Sequence, residues 1–170
     1  STQAAFHIAQ RPSLLDSAVA LSGDPPLALR LGRNLDFSSL GVLGFALQNC
    51  ADIQSVLKLA MRCHTLFKLG VFWELYHQRN TVVLQLTLRA GNPNQPKLMA
   101  EVVFAQFFAL TKLLMGKPIY ATEVHLNYSR PDYYRKYRKY LPAKVKFDQP
   151  HNQILFPEEI LDLPIRTANP

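Results

Sequence analysis

The chain has 170 residues, of which 48% are hydrophobic and 18% charged, and this length and composition predict one compact domain with a full core. Its two cysteines exclude a disulfide framework, and the sequence contains neither a signal-peptide pattern nor an uncharged apolar run of eighteen residues, so we expect a soluble, cytoplasmic protein. The formal net charge of +7 leaves an acidic or nucleic-acid partner open.

The N-terminal part of the chain is predicted to be helical. Apolar residues between positions 14 and 21 fit a short amphipathic helix that begins at Pro12, within an N-terminal helical segment 1–23. The sequence Asp24-Pro25-Pro26 ends this helix, because proline fixes its own backbone and moves the preceding residue out of the helical region. A connector is then expected up to about Phe37.

Two consecutive helices follow that connector. Ser38 or Ser39 is predicted to cap the first, which runs through Leu47, and Asp52 is predicted to cap the second. The apolar residues of the second helix fall on one stripe that ends at His64. Packing against the core is the favoured role for His64, and a polar contact inside a pocket is its functional alternative.

A hairpin is predicted next. Residues 71–77 and 82–88 alternate between two faces on either side of a tight turn at Arg79-Asn80, as paired strands with one buried face do. In the first strand the alternation places Trp73 and Tyr76 on opposite faces.

A long helix, predicted over 97–115, follows a loop at 90–96. Its apolar residues cover most of the circumference, with Glu101 among the few polar breaks, so it must be buried on several sides. Short elements complete the chain: strands at 123–128, 144–147 and 153–156, a helix at 132–141 and a turn at 157–161. This order predicts an α+β fold, in which a small antiparallel or mixed sheet packs against the long helix, with additional N-terminal helices.

Several segments carry short motifs in a characteristic order. The first is DPPLALRLG, followed by a Gly41-x-x-Gly44 helix and by Asp52-Ile53. The second half contributes EVVFAQFFALTKLLMG, VHLNYSRPDY and the ending KVKFDQPHNQILFPEEILDLPI. Together, over roughly residues 24–168, they resemble the N-terminal, arabinose-binding-type sensory domain of AraC/XylS-family transcription regulators, in which a Thr-Leu-like cap stands at the place of Asp52-Ile53. The resemblance depends on the order of the motifs, since each motif alone is weak.

The resemblance implies a role in gene regulation. It implies that residues 1–170 form a single domain that binds a small-molecule effector, forms a homodimer and controls a helix-turn-helix DNA-binding domain absent from this chain. DNA would then be contacted through that absent domain. Arabinose is not implied, because AraC-type sensory domains serve many effectors and this chain has too many long helices for the sugar regulator's short barrel.

An effector site needs an apolar cavity with a few polar groups that orient the ligand. We expect it between the sheet and the long helix, where six side chains offer large surfaces and some polar tips: Trp73, Tyr76, His77, Phe104, Phe107 and Phe108. The alternative is that these residues are plain core, because aromatic stripes at helical spacing usually pack.

The segment 130–140 interleaves basic residues with tyrosines. Tyr133, Tyr137 and Tyr140 share a helical face, which favours an amphipathic helix docked by its tyrosines. The alternative is a direct nucleic-acid-binding module that uses four basic residues: Arg135, Lys136, Arg138 and Lys139. In an AraC-type regulator the same basic face would help to position the DNA-binding domain near phosphates.

Motifs for catalysis, metals and cofactors are missing from the sequence. The histidines at positions 7, 64, 77, 125 and 151 form no HxH or HExxH pattern, and neither Cys50 nor Cys63 has a base at a recognisable spacing. No dinucleotide-binding, P-loop or paired-carboxylate motif occurs. We therefore expect no metal, no cofactor and no enzymatic activity.

Overall fold

The computed structural model describes residues 12–34, 36–67, 71–88 and 95–166. Its helices are α1 (Pro12–Ser22), α2 (Leu27–Arg33), α3 (Val42–Gln48), α4 (Ile53–Phe67) and α5 (Gln95–Met115). Its strands are β1 (Val71–Gln78), β2 (Thr81–Leu88), β3 (Glu123–His125), β4 (Lys144–Lys146) and β5 (Asn152–Pro157), and 3-10 helices span Ser38–Leu40, Tyr134–Lys139 and Glu158–Asp162. Segment 1–11, residues 90–94 of the loop predicted at 90–96 and the side chain of His64 lie outside the described part of the chain, and the last two residues of that predicted loop belong to α5.

Of the two predicted arrangements, antiparallel or mixed, the sheet is mixed. β1 and β2 form the expected antiparallel hairpin, and Arg79 takes a φ of 55° in its two-residue turn. β5 pairs antiparallel with both β2 and β3, and β3 pairs parallel with β4, so the described strands follow the order β1-β2-β5-β3-β4. The predicted α+β fold is confirmed.

α5 is the central core helix. Phe104 is fully buried and its ring stacks on Trp73 of β1, with 5.9 Å between the ring centroids, so the helix packs against the sheet. By length and composition the segment Pro96–Met115 could cross a membrane, but 67% of it is buried inside the molecule. The helix has apolar residues around most of its circumference because it has neighbours on several sides, as its sequence predicted.

The connector predicted between Asp24 and Phe37 is wrong, because it contains helix α2. Pro26 does end the preceding pattern, but it then occupies the N-cap position of α2, where its missing N–H costs nothing. α2 packs along α5, and a Cβ added at Gly32 would lie 2.1 Å from the carbonyl oxygen of Val102. Close packing against α5 stabilises a helix that is too short to be stable alone.

The predicted serine cap is also corrected. Asp36, rather than Ser38 or Ser39, is the acceptor in this turn: its Oδ1 receives the Ser39 backbone N–H at 3.0 Å and both serine hydroxyls. The serines belong to a 3-10 turn, and α3 begins only after Gly41, whose φ is 55°. The Asp52 cap of α4 is confirmed by a 2.8 Å hydrogen bond from the Ser55 N–H.

The C-terminal elements occur where the sequence predicted them, with changed bounds: β5 is longer than the strand predicted at 153–156, and other elements are shorter. The helix expected at 132–141 is a 3-10 helix over Tyr134–Lys139, and the strand expected at 123–128 is limited to Glu123–His125. The last described residues return to the helices, because the Leu163 carbonyl accepts the Ile53 N–H of α4 and the Arg166 N–H donates to the Leu114 carbonyl of α5. The end of the described chain is therefore attached to both α4 and α5.

Candidate functional site

Four of the six residues predicted to line a pocket lie together between the sheet and α5. Trp73 contacts Phe104 and Phe107, and Phe107 contacts Phe108 edge-on at 5.4 Å. Phe156 of β5, which the sequence analysis did not select, joins the group at 5.8 Å from Phe107. These contacts form a continuous aromatic layer, as buried rings with tilted and stacked geometries do.

Tyr76 and His77 lie apart from this layer. The Tyr76 hydroxyl is on the outer face of the sheet, where it accepts a 2.7 Å hydrogen bond from the Gln153 amide. His77, near the turn end of β1, is half-exposed and pairs with Glu158 at 2.8 Å. In this conformation both polar tips bond to residues outside the aromatic layer, and their proposed contact with an effector stays a prediction.

A small apolar cavity adjoins the aromatic layer. It lies between the sheet, α4, α5 and the last 3-10 helix, and its walls include Ile53, Phe107, Phe156 and Leu161. The cavity volume is about 10 Å³, which is room for about one water molecule. The hydroxyl of Thr111, the polar side chain in its wall, already bonds to backbone carbonyls of α5. The cavity therefore offers apolar contact and little polar recognition.

A buried polar cluster lies one turn of α5 before the aromatic layer. Glu101 is 1% exposed, and its Oε1 accepts hydrogen bonds from the hydroxyls of Tyr133, at 2.7 Å, and Tyr137. The Tyr128 hydroxyl lies 3.2 Å from that of Tyr137. Since Tyr137 donates its proton to Glu101, Tyr128 must be the donor in this second bond. We call Glu101, Tyr128, Tyr133 and Tyr137 the Glu101 cluster.

The second oxygen of Glu101 has no hydrogen-bond partner. Oε2 is shielded from solvent, and no described residue donates a proton to it. A buried polar group without a partner costs about 1–3 kcal/mol. Lys97, one turn earlier on α5, places its ammonium 5.0 Å from the Tyr133 ring centroid and 5.9 Å from that of Tyr128. The cluster thus already has a cation beside its aromatic rings.

Burial sets the protonation of this cluster. Desolvation raises the pKa of Glu101, although the hydrogen bonds from Tyr137 and Tyr133 and the charge of Lys97 lower it in part. Burial, followed by the charge of Glu101, raises the pKa of Tyr133. Burial likewise raises the pKa of Tyr137, where charge on Tyr128 and Glu101 adds to the effect. The tyrosines therefore stay protonated and remain hydrogen-bond donors.

The comparison with known protein families decides the identity of this fold. Residues 1–165 match the family described as the arabinose-binding domain of AraC transcription regulators, N-terminal. The chain belongs to this family. The match extends over both the aromatic layer and the Glu101 cluster, so both are parts of an AraC-type N-terminal domain.

Two relatives of this AraC-type domain are regulators from Pseudomonas aeruginosa. The ornithine utilization regulator is 28% identical over 187 aligned positions, which include 100% of this chain and 55% of the relative. The crystal structure of the transcriptional regulator CdpR superimposes with a TM-score of 0.77 at 26% identity, covering 92% of this chain and 51% of that one. The chain thus spans about half the length of these relatives, which are transcription regulators rather than enzymes.

The basic segment of the AraC-type domain docks as the amphipathic interpretation predicted. Tyr137 and Tyr140 are buried, and Tyr133 is partly buried. The four basic residues of the alternative interpretation are all exposed: Arg135, Lys136, Arg138 and Lys139. A role for them in nucleic-acid binding stays a prediction.

Cys50 and Cys63 are free thiols in this domain. Both are partly buried, and burial followed by the charge of Asp52 raises the pKa of the Cys50 thiol, which disfavours the thiolate. Within the described ranges, no group of three or more His, Cys, Asp or Glu side chains is close enough to hold a metal ion.

Sequence reasoning missed the Glu101 cluster. Glu101 was identified only as a polar break in an apolar helix, and the tyrosines only as a docking face. Its partners Tyr133 and Tyr137 are 32 and 36 residues away along the chain, so no local periodicity links them. The available signal was a glutamate within an apolar helix, because a buried carboxyl group needs hydrogen-bond donors from elsewhere in the fold.

Proposed function

We propose that this chain is the effector-sensing domain of an AraC-type transcription regulator. The observation that carries the proposal is the family match over residues 1–165, together with regulators as relatives and coverage of about half their length. A small molecule binds, and its binding is coupled to a DNA-binding half in the remainder of the regulator. The domain acts by binding and not by catalysis, in the cytoplasm and as a homodimer.

The layer between the sheet and α5 is the site that we propose for the apolar part of the effector. The cavity there holds about one water, whereas small-molecule sites are far larger, so an effector must enter by moving the walls apart. Binding then favours the conformation in which the walls are separated. A ligand changes a conformational equilibrium only by binding one state better than the other.

The walls of the cavity supply the coupling to the rest of the regulator. Ile53 of α4 and Leu161 of the last 3-10 helix line it. The Ile53 N–H donates to the Leu163 carbonyl, and Arg166, the last described residue, is attached to Leu114 of α5. A ligand that displaces α4 or the last 3-10 helix therefore also moves the last described residues.

Thermal unfolding of the chain against a library of metabolites and fatty acids tests this function. A ligand that binds only the folded state raises the unfolding temperature with concentration. The library includes ornithine, because one relative is named for its utilisation. Leu57→Phe, which fills the cavity, should abolish the shift, whereas Leu113→Phe at an exposed position of α5 should retain it. A shift that survives Leu57→Phe places the effector elsewhere, and no shift with any compound contradicts the function.

The exposed basic residues support a second candidate, direct binding of nucleic acid. Four cations project from one 3-10 helix whose other face is docked. Charge reversal at Arg135 and Lys136 should then weaken DNA binding and reduce its salt dependence. Matched reversal at Lys117 and Lys58, which are exposed on other elements, should not. Salt-independent or absent binding by the chain contradicts this candidate.

A further inference from the structure

We propose that the Glu101 cluster is a binding site for the isolated primary ammonium group of an effector. The proposal rests on the sensing function above and makes it more specific, because it assigns a chemical class to the ligand. Glu101 supplies the acceptor at the base of the site, and the rings of Tyr128 and Tyr133 supply its sides.

The first argument is the arrangement of protons in the cluster. The hydroxyls of Tyr133 and Tyr137 both donate to Oε1 of Glu101, and Tyr128 donates to Tyr137. Each tyrosine proton is therefore already engaged, while Oε2 remains buried with no donor among the described residues. The group that completes this arrangement must bring a proton of its own.

The second argument is the location of Lys97. Its ammonium lies beside the rings of Tyr133 and Tyr128, on faces that attract cations, but it does not reach Oε2. Lys97, Tyr128 and Tyr133 are partly buried, whereas Glu101 is fully buried, so Lys97 and the two rings lie nearer to solvent than Glu101 does. A ligand ammonium displaces the Lys97 ammonium from the rings and donates to Oε2.

The same geometry discriminates between cations. A guanidinium pairs with a carboxylate through two parallel hydrogen bonds, but Oε1 of Glu101 already accepts two tyrosine hydroxyls. An ammonium is a compact charge that needs only the one free oxygen and the ring faces. The α-ammonium of a zwitterion also fits poorly, because its carboxylate would lie close to Glu101. The site therefore favours an amine on an alkyl chain.

Isothermal titration calorimetry of the 170-residue chain with L-ornithine tests the proposal. L-norvaline lacks the terminal ammonium and L-arginine replaces it by a guanidinium, so both should bind much more weakly or not at all. Glu101→Gln keeps an oxygen for the two tyrosines and removes the charge, and it should lower the affinity for ornithine about 10- to 100-fold, the range for a charge-assisted hydrogen bond. Glu123→Gln, a carboxyl paired with Lys146 on the sheet, is the matched control and should leave the affinity unchanged.

Lys97→Met provides a readout that a purely structural cluster would not change. Because Lys97 competes for the same rings, its removal should strengthen ornithine binding. Tyr133→Phe removes one hydrogen bond from a half-buried position and serves if Glu101→Gln fails to fold. Ornithine affinity unaffected by Glu101→Gln or Tyr133→Phe overturns the site. If another compound stabilises the chain and no amine binds, the sensing function stands and this inference fails; if no compound binds, both fail.

Discussion

Two neighbouring parts of α5 are buried in different ways. In the apolar part, Phe104, Phe107 and Phe108 pack against Trp73 and Phe156 and need no directional partner. One turn earlier, Glu101 depends on two tyrosine hydroxyls, and its other oxygen has no partner among the described residues. The apolar part stabilises the fold through area and shape, whereas the buried carboxyl group needs specific hydrogen-bond donors and carries a cost in stability.

The largest expected loss of stability follows a substitution in the aromatic layer. Phe104→Ala removes a fully buried ring and leaves a cavity between α5 and the sheet, which should lower the free energy of unfolding by about 3–5 kcal/mol. Chemical denaturation measures this loss. Tyr120→Ala, at a side chain that is 70% exposed, is the control and should leave stability unchanged. A small loss at Phe104 would mean that the layer is already loosely packed.

Two substitutions of Glu101 should differ in their effect on stability. Glu101→Ala leaves the hydroxyls of Tyr133 and Tyr137 buried without their acceptor and should lower the free energy of unfolding by about 2–4 kcal/mol. Glu101→Gln retains the acceptor and removes the buried charge, so it should be close to neutral or stabilising at neutral pH. Equal losses for both variants, measured by denaturation, would show that side-chain charge rather than hydrogen bonding decides stability there.

The pH dependence of stability provides a finer comparison. Burial raises the pKa of Glu101 in the folded chain above its ordinary value of 4.5. Its favourable contribution is therefore complete below about pH 4.5 and is lost as the pH rises through the folded-state pKa. Relative to Glu101→Gln, the unmodified chain should lose up to about 1.4 kcal/mol per pH unit in that window. A difference in unfolding free energy that stays flat with pH would mean that Glu101 ionises normally.

The smallest expected effect concerns one hydrogen bond. Tyr133→Phe removes the 2.7 Å bond to Glu101 from a partly buried position and should lower the free energy of unfolding by about 1 kcal/mol. Tyr134→Phe is the control next to it, because its hydroxyl is exposed and meets only Arg135, and stability should not change. Indistinguishable unfolding curves for the two variants would show that Tyr133 contributes to the cluster only as a ring.

The predicted elements are confirmed where a local sequence rule applies. The alternation in β1 and β2, the Asp52 cap and the uniformly apolar α5 each reflect a local rule, and the structure contains all three. The predicted connector was wrong because a proline marks the end of one helix without excluding a new helix directly after it. α2 begins after the second proline and is held by its close approach to Val102.

The predicted effector pocket stays a prediction, although four of its six residues lie together. The aromatic residues on the sheet and α5 do meet, because strand and helix periodicity together identify the two inner faces. Tyr76 lies on the outer face, as its position in the alternation already indicated. No periodic signal showed that Tyr128, Tyr133 and Tyr137 converge on one carboxyl group.

The sequence by itself determined the α+β class, the order along the chain of the strands and of the helices other than α2, the tyrosine docking face and the resemblance to AraC-type sensory domains. These follow from periodicity, capping residues and motif order, which are properties of short segments. The tertiary structure alone decided that α2 packs on α5, that a small apolar cavity lies beside Phe107, and that Glu101 meets tyrosines more than thirty residues away. Periodicity shows which face of an element is buried, but the partners of a buried polar group depend on how distant segments come together.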